Sequence, residues 1–151
     1  MIQTQTNAAH SWGVAAIVDY IHPAADKGLI LEALYHDVAE GEFGDMPAPG
    51  KKALGGVRQA LHAAEHAKRV NLGIWMDGLG PEDRMLVKAA DIFDLMFYCL
   101  EERELGNRNL HGAWRFCVSW CRNEGLNTLA KYPRAAELLR QLEGAYHGIS
   151  G

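Results

Sequence analysis

The chain has 151 residues, 48% hydrophobic and 23% charged, which is the length of one ordinary domain and enough apolar material for one core. Its formal net charge of −4 excludes a surface that tracks an extended nucleic acid, which needs Lys and Arg clustered in excess, but leaves room for a small anionic substrate held by a few cations and a metal. Cys99, Cys117 and Cys121 are odd in number and lack the paired spacing of a disulfide framework or a zinc ribbon, so they read as core or surface thiols of a reducing compartment.

Met1 to Asn7 is polar and has no basic segment followed by an apolar run, so no signal peptide is expected. No apolar stretch approaches the ~18 residues that span a bilayer. A soluble, cytoplasmic protein with no membrane partner is the expectation. Apolar residues then recur at intervals of three and four along most of the chain, without sustained alternation, which predicts helix nearly throughout. The first helix runs from about Ala8 to Ile21 and is ended by His22 and Pro23. The second starts near Ala25, carries Leu29, Leu31, Leu34 and Tyr35, and continues through His36 to just past Glu40.

Gly41 to Gly50 holds three glycines and two prolines in ten residues and must be a loop. Helical pattern returns from Lys51 to about Ile74 and is broken from Gly78 to Gly80. Pro81 suits the first turn of a helix that reaches about Glu104. Asn107 to Arg122 and Pro133 to Tyr146 complete the series, with Gly148 closing the last. No repeat or linker interrupts the chain, so residues 1–151 read as one all-α domain, a compact bundle of about six helices. Leu138, Leu139 and Leu142 of the final helix suit either the core or a contact between subunits.

Two imidazoles, His10 and His36, and two carboxylates, Asp37 and Asp91, make a mixed nitrogen and oxygen ligand set. Such a set suits a borderline divalent ion such as Mn, Fe, Co, Ni or Zn better than calcium. Adjacent helical residues point about 100° apart, so His36 and Asp37 share one ion only if it sits over the edge between them. Glu40 follows at three and four residues, on the same face, where a proton shuttle would stand. Asp91 lies among residues that read as buried in the largely apolar helical run from Val87 to Tyr98, and a buried unpaired carboxylate costs several kcal/mol, so a compensating cation is expected there.

His10-Ser11-Trp12, His36-Asp37 with Glu40, Gly44-Asp45-Met46-Pro47-Ala48-Pro49 and Lys88-Ala89-Ala90-Asp91 together resemble the ordered motifs of HD-domain phosphohydrolases. The likeness is closest to the bacterial 5′-deoxynucleotidase branch and is shared with the phage dATP triphosphohydrolases. It covers about residues 8 to 100; the last 50 residues add no motif. The resemblance implies an HD-domain fold, one divalent metal (Co, Mn, Ni, Zn, Fe or Mg) on His10, His36, Asp37 and Asp91, and a Glu40 that assists the attacking water or protonates the leaving oxygen. It also implies that Asp45 lines the sugar end of the pocket, that Lys51 and Lys88 contact phosphate, and that the protein is a homo-oligomer. The implied substrate is a deoxynucleotide, cleaved to orthophosphate or, in the phage manner, to triphosphate. One departure stands out: the deoxynucleotidase branch carries an Arg-Trp pair well upstream of its first metal histidine, and the nine residues before His10 contain neither Arg nor Trp. Selectivity against a 2′-hydroxyl and the number of phosphates accepted are therefore open.

Other constellations are weaker. His62 and His66, four apart with Glu65 between them, lack a His-Glu-x-x-His order and sit in the strongly polar segment Arg58 to Arg69, which reads as a solvated face. The chain has no Pro-Cys-x-x-Cys element of zinc deaminases, no Walker lysine loop, no nucleophile elbow and no dinucleotide fingerprint. Glu40 is followed by Gly41 where alarmone hydrolases have a Glu-Asp step, and the Gly-Tyr-Pro element of cyclic dinucleotide phosphodiesterases is missing. The alternative from another class is a catalytically silent helical module that keeps the metal for structure or senses a nucleotide.

Overall fold

The computed structural model describes residues 5–38, 55–73 and 79–149. Seven helices and no strand occur among the described residues: α1 (Asn7–Ile21), α2 (Lys27–Tyr35), α3 (Gly55–Asn71), α4 (Pro81–Glu104), α5 (His111–Arg122), α6 (Leu126–Lys131) and α7 (Pro133–Gly148). The expected all-α class holds.

Local chemistry explains the boundaries. Thr6 caps α1 by accepting the Ala9 N–H at 3.2 Å, and Asp26 caps α2 through Leu29 N–H at 2.8 Å, each satisfying a donor that a helix N-terminus leaves unpaired. Pro81 occupies the first turn of α4, with Glu82 and Asp83 beside the positive end of its dipole. The helix stops at Gly106, whose φ of +88° lets Gly106 N–H reach Arg103 O and Asn107 N–H reach Glu102 O, the paired bonds that close a helix through a left-handed residue.

Four expectations need correction. The helix expected from Asn107 begins at His111, and Gly148, expected to close the last helix, is its final residue and has no positive φ, with Ile149 as the cap. The second helix does not continue past residue 40: it ends at Tyr35, and residues 36–38 form a turn. Val38 N–H bonds Tyr35 O three residues back, while the Arg69 guanidinium of α3 takes the carbonyls of Tyr35 (3.2 Å) and His36 (2.8 Å) and the carboxylate of Glu32 (2.6 Å). The carbonyls that would prolong α2 are thus spent on another element. The segment between Arg122 and Pro133 also contains a helix, α6, which sequence periodicity does not reveal because six residues make under two turns.

Helix α4 is the axis of the bundle, packing against α1, α2, α5, α6 and α7, while α1 also meets α2 and α7. Leu86, Phe93 and Met96 of α4 and Val14 and Val18 of α1 are fully buried in this core, each such side chain contributing roughly 1.5–3 kcal/mol by leaving water. Leu138 and Leu142 of α7 are buried and Leu139 is partly buried against the same cluster, so these leucines complete the core. No helix among the described residues is long and apolar enough to cross a membrane.

Candidate metal centre

Three elements converge beside this core. His10 sits one turn into α1, His36 and Asp37 in the turn that closes α2, and Asp91 midway along α4. One ligand atom each from His10, His36 and Asp37 lies within 4.8 Å of the other two. Nε2 of His10 is 3.3 Å from Asp37 Oδ2 and 3.4 Å from Asp91 Oδ1, and the two imidazole rings are 5.1 Å apart, edge to face.

The imidazole nitrogens are differentiated. Nδ1 of His36 donates to Ala33 O at 2.8 Å, leaving Nε2 as the unprotonated position of the neutral ring. That Nε2 is 3.1 Å from Asp37 Oδ2 but is not directed for a hydrogen bond, and it is a buried polar atom with no hydrogen-bond partner among the described residues. Such an orphan is rare in a folded protein. It fits a nitrogen that donates its lone pair to a cation.

The charges follow the same geometry. The Asp37 carboxylate, then Asp94 and then Asp91, outweigh burial and push the His10 imidazole up to about 10. Burial works against the charged form of His36, yet Asp37 outweighs it and the shift is upward. Burial likewise works against the Asp37 carboxylate, and the two imidazoles overcome it, holding its carboxyl well below the usual range. A cation seated here would replace protons on the imidazoles and meet an Asp37 carboxylate that is already ionised.

Asp91 borders this group from α4. Its Oδ2 accepts from Lys88 Nζ at 2.5 Å and the side chain is only partly buried, which corrects the expectation of a buried, unpaired carboxylate at this position; the buried one on this helix is Asp94. Asp91 also stands outside the three residues whose ligand atoms cluster mutually. Lys88 is half-exposed at the rim. Glu40, Asp45 and Lys51 lie outside the described residues. A groove of about 360 Å³ opens beside Asp37, lined by Asn7, Ala8, Ser11, Leu34, Tyr35 and Val38, apolar on most of its walls. His66 is exposed on α3, in keeping with a solvated face; the His62 side chain lies outside what is described.

Comparison with family models, curated proteins and solved structures gives no match. The metal reading therefore stands on the motifs and on this geometry. Two contributors escape a reading of the sequence. Asp94, three residues after Asp91, is buried on α4 and its Oδ2 lies 2.7 Å from His10 Nδ1. Arg69, on a distant helix, holds the backbone that carries His36. For Asp94 a signal existed: a second carboxylate at i+3 in an apolar helix faces the same way as the first. For Arg69 none did.

Proposed function

We propose that the chain is a metal-dependent phosphohydrolase of the HD-domain kind, acting on a deoxynucleoside 5′-phosphate at one divalent ion held by His10, His36 and Asp37, with Asp91 as fourth ligand. The observation that carries the reading is the buried His36 Nε2, without a hydrogen-bond partner among the described residues and clustered with His10 and Asp37. The donor set supports an ion of the Mn, Fe, Co, Ni or Zn type.

When bound, such an ion supplies Lewis acidity, lowering the pKa of water from about 15.7 to about 7 and offsetting charge on phosphoryl oxygens. The protein's own residues do the rest. His10 approaches from α1, and His36 and Asp37 from the turn that closes α2, so the side away from them would be left to water and substrate. Lys88, at the rim beside Asp91, offers a cation to the phosphate. The largely apolar groove next to Asp37 suits the nucleoside, with Asn7 and Ser11 as its polar contacts. In this proposal Glu40 transfers the proton, a contribution of roughly 10²–10⁴-fold, and Asp45 and Lys51 complete the substrate contacts. A cytoplasmic location accords with three free, buried thiols. The homo-oligomer implied by the resemblance would use surface other than Leu138, Leu139 and Leu142.

The test is phosphate release from a panel of deoxy- and ribonucleotides in metal-free buffer with Mn, Co, Mg, Ni or Zn restored singly, resolving orthophosphate from triphosphate. Metal-dependent orthophosphate from a deoxynucleoside monophosphate is expected, with Glu40→Ala retaining metal and losing roughly 10²–10⁴-fold in turnover. Triphosphate as the product would replace the monoesterase reading by the phage-type one. No turnover with any ion, alongside retained nucleotide binding, would overturn the enzyme reading in favour of a sensor.

A further inference from the structure

We propose that Asp94 is a positioning residue of the metal centre, fixing His10 in the tautomer whose Nε2 lone pair faces Asp37 and Asp91. The inference rests on His10 being a metal ligand. It is carried by a group of contacts around one buried carboxylate. The Asp94 carboxylate is buried, yet α4 places it against α1, where its Oδ2 lies 2.7 Å from His10 Nδ1 and accepts Gln5 Nε2–H at 2.7 Å. Its other oxygen lies over Gly13, one turn beyond His10 on the same face of α1. A Cβ built on Gly13 would stand 2.1 Å from Oδ1, so the absence of a side chain at position 13 is what lets the carboxylate approach His10.

The chemistry gives this arrangement a direction. An ionised carboxylate only accepts, so Nδ1 of His10 must carry the proton that joins them. The neutral ring then has its lone pair on Nε2, the atom that lies between Asp37 and Asp91. His36 is set in the same way by a weaker acceptor, the Ala33 carbonyl at 2.8 Å. Both rings are therefore committed at Nδ1 and present Nε2 to one point. A carboxylate partner makes His10 the more basic of the two ligands, and partners of this kind are worth about 10–100-fold in metal affinity.

The experiment is calorimetric Zn²⁺ titration of the full chain for wild type, Asp94→Asn, Asp94→Ala, Gly13→Ala and His10→Ala, with circular dichroism and melting recorded on each. Nitrogen-15 spectra of the Zn-loaded proteins read the His10 tautomer directly. Asp94→Ala is expected to lose about 10–100-fold in affinity and to show His10 no longer confined to the Nδ1–H form. Asp94→Asn, whose amide oxygen can still accept that proton, loses less and keeps the tautomer. Gly13→Ala weakens binding although all the ligands and Asp94 remain, a result that separates positioning from charge. If Asp94→Ala does not fold, wild-type affinity in both Asp94→Asn and Gly13→Ala overturns the inference. Wild-type affinity with the Nδ1–H tautomer intact in folded Asp94→Ala, while His10→Ala is weakened, overturns it and spares the metal reading. A wild type that takes no Zn²⁺, or a His10→Ala variant that binds it undiminished, overturns both.

Discussion

At the candidate centre, protons and the proposed cation would compete for the same nitrogen atoms. His10 is pushed up to about 10 from 6.5, first by Asp37 and then by Asp94, and Asp37 is held below its ordinary 3.8. A group whose folded pKa is raised adds stability that is complete below its unfolded value and lost as pH rises through the folded one. For His10 that contribution is whole below about pH 6.5 and disappears towards about pH 10. For Asp37, lowered on folding, it is present above about pH 3.8 and lost as pH falls through the folded value. In chelator-treated protein, the stability difference between wild type and His10→Ala is therefore expected to shrink by about 2 kcal/mol, after allowance for solvent screening, as pH rises from about 6.5 to about 10. Urea midpoints across that range check it, and a pH-independent difference would contradict the charge assignment. Metal affinity should move the opposite way, rising with pH as the competing proton is removed. The residue types of this centre were legible in the sequence. The partner of each imidazole was not, since nothing in spacing distinguishes Ala33 O from Asp94 as the acceptor of an Nδ1 proton.

The end of α2 shows how an element boundary can belong to the tertiary structure. Periodicity carries helical pattern through His36, yet the last carbonyls of α2 bond the Arg69 guanidinium of α3, and Val38 closes a tighter turn. The same guanidinium neutralises Glu32. Arg69→Ala removes all three contacts from a partly buried position and is expected to destabilise the protein by about 1–3 kcal/mol. Because the freed carbonyls flank the candidate ligands His36 and Asp37, amide exchange at Val38 should quicken and, on the proposed metal reading, Zn²⁺ affinity fall, with Arg69→Lys recovering only part because an ammonium cannot form the fork. Unchanged exchange at Val38 would show that the turn holds itself. Helices α1, α4 and α7 behaved differently: prolines and apolar periodicity announced them, since those signals are set by neighbours in sequence. The short α6 left no periodic signature and is stabilised by packing against α4, α5 and α7.

On the scale of the whole molecule, α4 carries both the core and two carboxylates of the candidate site. Its buried face joins α1, α5 and α7 around Phe93 and Met96, while Asp91 and Asp94 project from the same helix towards α1. The core also encloses the three thiols. Burial pushes Cys99 up to about 11 and Cys117 and Cys121 up to about 12, so the thiolate fraction at pH 8 is negligible. Alkylation of the native protein at that pH should be slow at all three positions, and denaturant should release three reactive thiols per chain. A rapidly modified cysteine in the native state would show that α4 and α5 separate in solution. Free, inert thiols in a closed core are what a reducing compartment permits.

The sequence alone determined the helical class, the long helices and the identity of the residues that could hold a metal, because period, capping and ligand chemistry are local properties. The tertiary structure alone decided that His10, His36 and Asp37 meet, and that Asp94 joins them. It also decided that α2 stops before His36 and that the α7 leucines turn inward. Each of these depends on which helix lies against which, and a hydrogen-bond acceptor 84 residues away in the chain leaves no periodic trace in the sequence.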